Sequence, residues 1–189
     1  PEEVKQLTLD HADERVVALS QPGAEPDAEA LWRLAAPIQT DADEWNVKQV
    51  ISSIGDMTAE GFISADEAAR ADTGFDNAQA TVTIERTEGE PFTLTFGNTA
   101  TRELGEPATE KEIIFVRSSQ RPEIMMVRAG ALDEVQKTLF DLRDKSVLSL
   151  KRDDVTRVKV ERTEGLTFQI ARRPSGWFVE KPKNFEARQ

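Results

Sequence analysis

The stretch DDVTRVKV at residues 153–160 repeats the pattern of EEVKQLTL at residues 2–9. Each of these segments is followed further along the chain by a second similar segment, WRLAAP at residues 32–37 and WFVEKP at residues 177–182. The first pair of segments is separated by 151 residues and the second pair by 145 residues. The two separations differ because the first copy has a longer loop around residues 21–29. We therefore predict one complete repeat unit over residues 1–150 and the truncated start of a second unit over residues 151–189.

Each closing segment places a tryptophan five residues before a proline, Trp32 before Pro37 and Trp177 before Pro182. Proline cannot donate a hydrogen bond to a β-ladder, so it ends a strand. The equivalent placement in both units favours core anchors over a pair of ligand-stacking side chains, because a binding site would need only one of them. We expect Trp32, Pro37, Trp177 and Pro182 to be structural anchors.

The remaining periodicity predicts an α+β fold, with antiparallel sheets backed by two main packed helices. Apolar residues recur at helical spacing over residues 43–55, and again over residues 132–143. Apolar and polar residues alternate over residues 79–96, which predicts a β-hairpin whose turn contains Gly89. Residues 113–117 and 124–128 are typical of central strands. Residues 99–111 are polar and are expected to form a loop. In the second unit we expect strands at 155–162, 166–172 and 177–180, and then, after Pro182, a capped helix that the chain ends too early to contain.

Composition and charge restrict the function. The net charge of −11 is uneven, because residues 151–189 carry 10 Lys and Arg against 6 Asp and Glu, whereas residues 1–150 carry 14 against 29. An acidic first unit repels phosphate backbones, which argues against a nucleic-acid partner.

The absence of cysteine excludes disulfides, thiol catalysis and cysteine-ligated metals. No apolar run is long enough to span a membrane. Because the chain begins within a strand pattern and without an initiator methionine, we expect the natural protein to start earlier, and whether a signal or anchor segment lies there stays open.

No motif predicts a catalytic, cofactor-binding or metal site. His11 is the single histidine, and its position between two strand patterns indicates a solvated loop residue. The aspartic-protease tripeptide occurs at residues 72–74, but it has no second copy and does not follow an apolar strand. The carboxylates of Asp41, Asp43 and Glu44 fit helix capping better than calcium binding. Phe140 lies in an apolar run and is expected in the core.

The chain resembles a bacterial family known as domain of unknown function forty-three forty. The resemblance rests on FDLRDK at residues 140–145, VTRVKVE at residues 155–161 and the closing segment at 177–182. WRLAAP followed by Asp41-Ala42-Asp43 is similar to the start of the family's first helix. The resemblance implies an N-terminal membrane anchor outside this chain, a location on the periplasmic side of the cytoplasmic membrane, and occurrence beside ABC-type transporters of the gliding-motility kind. It implies no catalytic residues.

We therefore expect a non-enzymatic, extracytoplasmic accessory or interaction module of an ABC-type transport complex, with subunits of that transporter as partners. Two alternatives stay open. The first is a carboxylate-dependent hydrolase acting on glycans, which needs two carboxylates in one cleft. The second is a small-ligand or glycan binding module that uses Trp32 or Trp177, which needs an indole exposed in a pocket.

Overall fold

The computed structural model describes residues 4–12, 14–21, 31–68, 71–105, 107–148, 150, 152–164, 167–182 and 185–186. The chain divides into two compact units, Pro1–Lys145 and Ser146–Gln189. The described residues form antiparallel sheets with a smaller share of helix, so the expected α+β class is confirmed. Most of the loop expected at residues 21–29, and Gly165 of the second hairpin, lie outside the described residues.

The first unit contains one antiparallel sheet and short helices. Its strands are β1 (Val4–His11), β2 (Glu14–Gln21), β3 (Leu31–Ala36), β4 (Thr40–Asp41), β5 (Gly61–Ile63), β6 (Ala80–Arg86), β7 (Phe92–Leu104), β8 (Thr109–Ser118) and β9 (Ile124–Arg128). Its helices are α1 (Glu44–Gly55), α2 (Ala65–Ala68), α3 (Ala131–Val135) and α4 (Leu139–Leu142), with a 3-10 turn at Phe75–Asn77. The strand order is β4-β3-β2-β1-β6-β7-β8-β9-β5.

Helix α1 packs on one face of this sheet, as its periodicity predicts. Its buried side chains are Val47, Val50, Ile51 and Ile54, which recur at i, i+3, i+4 and i+7 and therefore form one stripe. They join the main core with the inward residues of β1, β2, β3 and β6. Ile113, Phe115 and Met126 form a smaller core cluster of their own. Since Ile114 and Val116, which alternate with Ile113 and Phe115 along β8, belong to the main core, β8 is apolar on both faces as expected.

The hairpin formed by β6 and β7 confirms the sequence pattern, and Gly89 takes the left-handed conformation at φ 90°. The expectation of a polar loop over residues 99–111 is wrong. Strand β7 continues to Leu104, turns at Gly105 and pairs with β8 from Thr109. The side chains of residues 101–103 and 107–110 are exposed, so neither face carries the apolar alternation by which a half-buried strand is recognised.

The expected second long helix over residues 132–143 is also wrong, because it is two short helices. Helix α3 ends at Val135, and Gln136 leaves the helical conformation at φ −83° and ψ 54°. Thr138 then starts α4 with a capping box, in which its hydroxyl accepts from the Asp141 N–H and the Asp141 carboxylate accepts from the Thr138 N–H. The capping contacts, together with contacts to β1 and β2 described below, stabilise the break. Val135 and Leu142 remain buried on the same core.

The second unit is a four-stranded antiparallel sheet in the order β10-β11-β12-β13. The strands are β10 (Arg157–Val160), β11 (Phe168–Arg173), β12 (Gly176–Lys181) and β13 (Phe185–Glu186), and a 3-10 turn at Arg152–Asp154 precedes them. The first three strands lie where the sequence pattern predicts them. Ala171 and Val179 are the buried apolar residues among those described in this unit.

Candidate functional site

A cleft of about 490 Å³ lies in the first unit between α1 and the α3–α4 segment. Its lining combines an aromatic side chain with amide, hydroxyl and charged groups. The lining residues are Trp45, Asn46, Gln49, Val50, Ser53, Glu134, Lys137, Asp141, Leu142 and Lys145.

The N-terminal end of α1 is tied to α4. Asp43 is the N-cap of α1, and its carboxylate accepts from the backbone N–H of Asn46 at 3.1 Å. The Asn46 side-chain amide donates to the Asp43 carboxylate at 2.8 Å and to the backbone carbonyl of Asp141 at 3.1 Å. The Asp43 N–H also donates to the Leu142 carbonyl at 2.8 Å. These contacts hold both sides of the cleft at a defined separation.

The α3–α4 segment is also held by the turn between β1 and β2. His11, at the end of β1, is buried, and its Nε2 lies 3.1 Å from the carbonyl oxygen of Lys137. The Glu14 carboxylate accepts from the N–H of Leu139 at 3.1 Å. The expectation that His11 is a solvated loop residue is therefore wrong. The imidazole instead caps the backbone at the break between α3 and α4.

Two large aromatic side chains are exposed beside the cleft. Trp45 is 70% exposed and Phe140 is 67% exposed, so the expectation that Phe140 lies in the core is wrong. Each is the sequence neighbour of a residue in the Asn46–Asp141 hydrogen bond, which places both aromatics at the same end of the cleft. The Lys145 ammonium lies 4.8 Å from the centroid of the Phe140 ring and 3.2 Å from the Asp141 carbonyl oxygen.

The carboxylates that line the cleft have partners. Glu134 pairs with Arg128. Asp141 accepts from the backbone N–H of Thr138 at 2.9 Å and from its hydroxyl at 2.7 Å. These Thr138 hydrogen bonds, with smaller contributions from the charges of Lys137 and Lys145, lower the pKa of Asp141 below its usual 3.8. Asp141 is therefore ionised at neutral pH, which is opposite to what a general acid needs.

The acidic residues around the start of α1 behave as capping and surface groups. Asp43 caps the helix, Asp41 pairs with Arg33 at 3.1 Å, and Glu44 pairs with Lys48 at 3.7 Å. Across the described ranges, no three His, Asp or Glu side chains come together in a group that could hold a metal ion. Among the same residues, no helix has the length and apolar character needed to cross a membrane.

The four residues expected as structural anchors are placed as follows. Trp32 lies in β3 and is 4% exposed, within the main core, so its indole cannot stack on a ligand. Trp177 lies in β12 and is half-buried. Pro37 and Pro182 are exposed, and each follows a cis peptide bond after the closing strand of its unit.

The sequence interpretation missed Trp45 and Phe140 as surface residues, although a signal was present. Trp45 precedes Val47 by two positions, about 200° around a helix, and so it falls outside the buried stripe of α1. Phe140 lies next to Leu139 and two positions before Leu142, both on the core side of α4. An aromatic side chain out of phase with an apolar stripe is a candidate contact residue.

The tripeptide at residues 72–74 has a structural role. The Thr73 carbonyl oxygen accepts from the Asn98 N–H at 2.7 Å, which joins the segment before the 3-10 turn to β7. Gly97 lies so close that a Cβ built on it would overlap the Thr73 carbonyl oxygen. Gly74 takes the left-handed conformation at φ 72°, and begins the 3-10 turn at Phe75–Asn77.

Comparison with known proteins gives a family and no function. Neither the curated proteins nor the solved structures contain a match to this chain. The model of one family, described as a domain of unknown function (DUF4340), matches residues 32–189. This match covers β3 of the first unit through the end of the second unit, which is most of the chain. The chain therefore belongs to the DUF4340 family of domains of unknown function.

Proposed function

We propose that this chain is a non-enzymatic interaction module, and that the cleft between α1 and the α3–α4 segment binds a protein partner. The observation that carries the proposal is the pair of exposed aromatics, Trp45 and Phe140, at one end of that cleft. Tryptophan and other large aromatics are enriched among the residues that contribute most to binding at protein interfaces. The scaffold around them is held by backbone and side-chain hydrogen bonds, which reduces the entropy lost on binding.

The partner that we propose is a subunit of an ABC-type transport complex, met on the periplasmic side of the cytoplasmic membrane. The resemblance described above, to membrane-anchored proteins found near gliding-motility transporters, supports this partner. The membrane anchor would lie outside this chain. The excess of acidic residues over residues 1–150 supports a protein partner over nucleic acid.

A glycan-binding module is the second candidate, and one observation favours it. Trp45 presents an exposed indole beside a cleft with amide and hydroxyl groups from Asn46, Gln49 and Ser53, a combination suited to stacking on a sugar and hydrogen-bonding its hydroxyls. A hydrolase is less well supported. Both carboxylates that line the cleft are engaged, Glu134 by Arg128 and Asp141 by Thr138.

We also propose that residues 151–189 repeat the strand pattern that opens the first unit. The strand registers support this relation. In the first unit Leu7 pairs with Ala18, Ala18 with Leu34 and Leu34 with Thr40 across β1 to β4. At the corresponding positions of the second unit, Val158 pairs with Ile170, Ile170 with Val179 and Val179 with Phe185 across β10 to β13. The second pairing in each unit also has a register shift beside it, between Val17 and Ala18 and between Gln169 and Ile170.

Site-specific crosslinking in the native membrane tests the proposed partner. A photo-crosslinking phenylalanine analogue is placed at Phe140, and in a matched control at Phe62, a 53% exposed phenylalanine on edge strand β5. We expect a transporter subunit to be captured from position 140 and lost when Trp45→Ala is added, with neither effect at position 62. Capture of glycan would favour the second candidate. Equal capture from both positions, or none from position 140, would contradict the assignment of the cleft as the interface.

A further inference from the structure

The second unit has an apolar sheet face. Residues directly opposite each other in an antiparallel pair lie on the same face, and residues two apart along a strand share that face. The pairings and this alternation place six apolar side chains on one face of β10, β11 and β12. They are Val158, Val160, Phe168, Ile170, Trp177 and Val179.

The same positions of the first unit are apolar and covered. Their counterparts on β1, β2 and β3 are Leu7, Leu9, Val16, Ala18, Trp32 and Leu34, all of which are 4% exposed or less. In the second unit Val158 is 40% exposed, Val160 is 50% exposed and Phe168 is 52% exposed. Val158, Val160 and Phe168 are thus exposed at positions whose counterparts in the first unit are buried, whereas Ile170 and Trp177 are half-buried and Val179 is buried.

Helix α1 packs against the β3 side of the covered face, and the α3–α4 segment lies against β1 and β2 through His11 and Glu14. Its stripe of Val47, Val50, Ile51 and Ile54 lies in the same core cluster as the six residues of the first unit. The helix begins at Glu44, directly after the short strand β4 and its N-cap. The covered face therefore defines the kind of element that fits the open one.

The net charge of the α1 segment is opposite in sign to that of residues 151–189. The α1 segment with its caps, residues 43–56, carries Asp43, Glu44 and Asp56 against a single lysine, Lys48. Residues 151–189 carry 10 Lys and Arg against 6 Asp and Glu. The two segments are therefore opposite in net charge, and Arg172, directly across from Trp177, lies on the apolar face itself, whereas Arg157, Lys159 and Arg173 lie on the other face.

We propose that the open face of the second unit binds an amphipathic α-helix of the α1 type, with aliphatic residues at i, i+3, i+4 and i+7 and a net negative charge. The helix lies across β10, β11 and β12, and it covers Val158, Val160 and Phe168, whose counterparts in the first unit lie in the core cluster that contains the α1 stripe. This inference rests on the proposed repeat relation between the two units and not on the proposed role of the cleft.

The test uses a fluorescein-labelled peptide with the sequence of residues 41–58, added to the 189-residue chain and followed by fluorescence anisotropy. We expect saturable binding that weakens about tenfold or more in Val160→Asp and in Phe168→Asp, because each change buries a carboxylate under the helix. Val147→Asp is the matched control, since Val147 is 94% exposed and lies outside the sheet, and it leaves the affinity unchanged. A peptide with Val47, Val50 and Ile51 all changed to Asp does not bind.

Isolated helices of this length are marginal in water, so a second measurement avoids the cost of folding the peptide. The sequence of residues 44–56 is joined to Gln189 through a flexible linker, and amide hydrogen exchange of β10 and β11 is compared with that of the same fusion carrying the three Asp changes. Slower exchange in the fusion that carries the unaltered helix sequence, and not in the fusion with the three Asp changes, supports the proposal. Equal exchange in both fusions, or a dimer of the 189-residue chain that Val160→Asp dissociates, overturns it, and the dimer would identify a second copy as the occupant.

Discussion

The imidazole Nε2 of His11 lies 3.1 Å from the carbonyl oxygen of Lys137, which is 126 residues further along the chain. The contact joins the end of β1 to the break between α3 and α4, and it satisfies a backbone carbonyl that the helix break leaves without an intrahelical partner. The single histidine of this protein is therefore part of the frame that positions the cleft.

Replacing His11 with alanine is expected to lower the free energy of unfolding by about 1–3 kcal/mol, because a buried histidine is lost and the Lys137 carbonyl loses its partner. Urea denaturation followed by circular dichroism measures the change. His11→Gln, which keeps a side-chain N–H donor, should recover part of the loss. Equal stability of the alanine variant and the unaltered chain would show that the contact contributes nothing.

The capping box of α4 makes a prediction about pH. The folded-state pKa of Asp141 is below its usual 3.8, so the carboxylate contributes stability that is fully present above the unfolded pKa and is lost as the pH falls through the folded pKa. Asp141→Asn should therefore be less stable than the unaltered chain at pH 7, by up to about 1 kcal/mol as for a typical helix cap. The difference should shrink as the pH falls below 3.8.

Equilibrium urea denaturation at a series of pH values checks the expectation for Asp141. Thr138→Ala, which removes the hydroxyl of the same capping box, should lower the stability at pH 7 by a similar amount. The control is Asp133→Asn in α3, which changes a carboxylate outside the capping box. A difference between Asp141→Asn and the unaltered chain that grows toward low pH would contradict the lowered pKa of Asp141.

Gly97 and Gly55 form a matched pair for a steric prediction. A Cβ at Gly97 would overlap the Thr73 carbonyl oxygen, and the backbone must move to admit it. Gly97→Ala should therefore destabilise the first unit by roughly 2 kcal/mol or more. At Gly55, the last residue of α1, a Cβ meets nothing within 4 Å, so Gly55→Ala should be neutral or stabilising by up to about 1 kcal/mol. Thermal denaturation distinguishes the two variants, and a Gly97→Ala chain as stable as Gly55→Ala would refute the close approach.

Trp32 and Trp45 should respond to substitution in opposite ways. Trp32 is 4% exposed within the core, and Trp32→Ala should lower the free energy of unfolding by about 3–5 kcal/mol. Trp45 is 70% exposed, and Trp45→Ala should change it by no more than about 0.5 kcal/mol. Quenching by acrylamide gives an independent check: the Trp45→Phe chain should lose the most quenchable part of the fluorescence, and the Trp32→Phe chain the least.

The features that were predicted correctly depend on residues close together in sequence. The stripe from Val47 to Ile54 predicts α1 because a helix buries one side, and Gly89 predicts its hairpin because the turn requires a positive φ. The polar hairpin of β7 and β8 was missed because backbone pairing does not require an apolar face. The Thr138–Asp141 capping box was present in the sequence, but a continuous apolar stripe over the same residues concealed it.

The candidate site could not be predicted from the tryptophans that stand out in the sequence. Trp32 and Trp177 are placed equivalently before Pro37 and Pro182, and Trp32 is in the core, where it cannot contribute to a surface site. Trp45 and Phe140 lie beside one cleft because α1 packs against α4, and the Asn46–Asp141 hydrogen bond there joins residues 95 positions apart. Local periodicity can indicate that a side chain points away from its own core, but it does not identify the neighbour across a cleft.

By itself the sequence determined the α+β class, helix α1, the β6–β7 hairpin and the three strands that open the second unit, because each follows from side-chain periodicity and turn chemistry over a few consecutive residues. The tertiary structure alone decided that His11 is buried against Lys137 and that Trp45 and Phe140 stand exposed at one cleft. These features depend on contacts between segments as far as 126 residues apart. Such contacts form when packing satisfies backbone groups that no local pattern specifies.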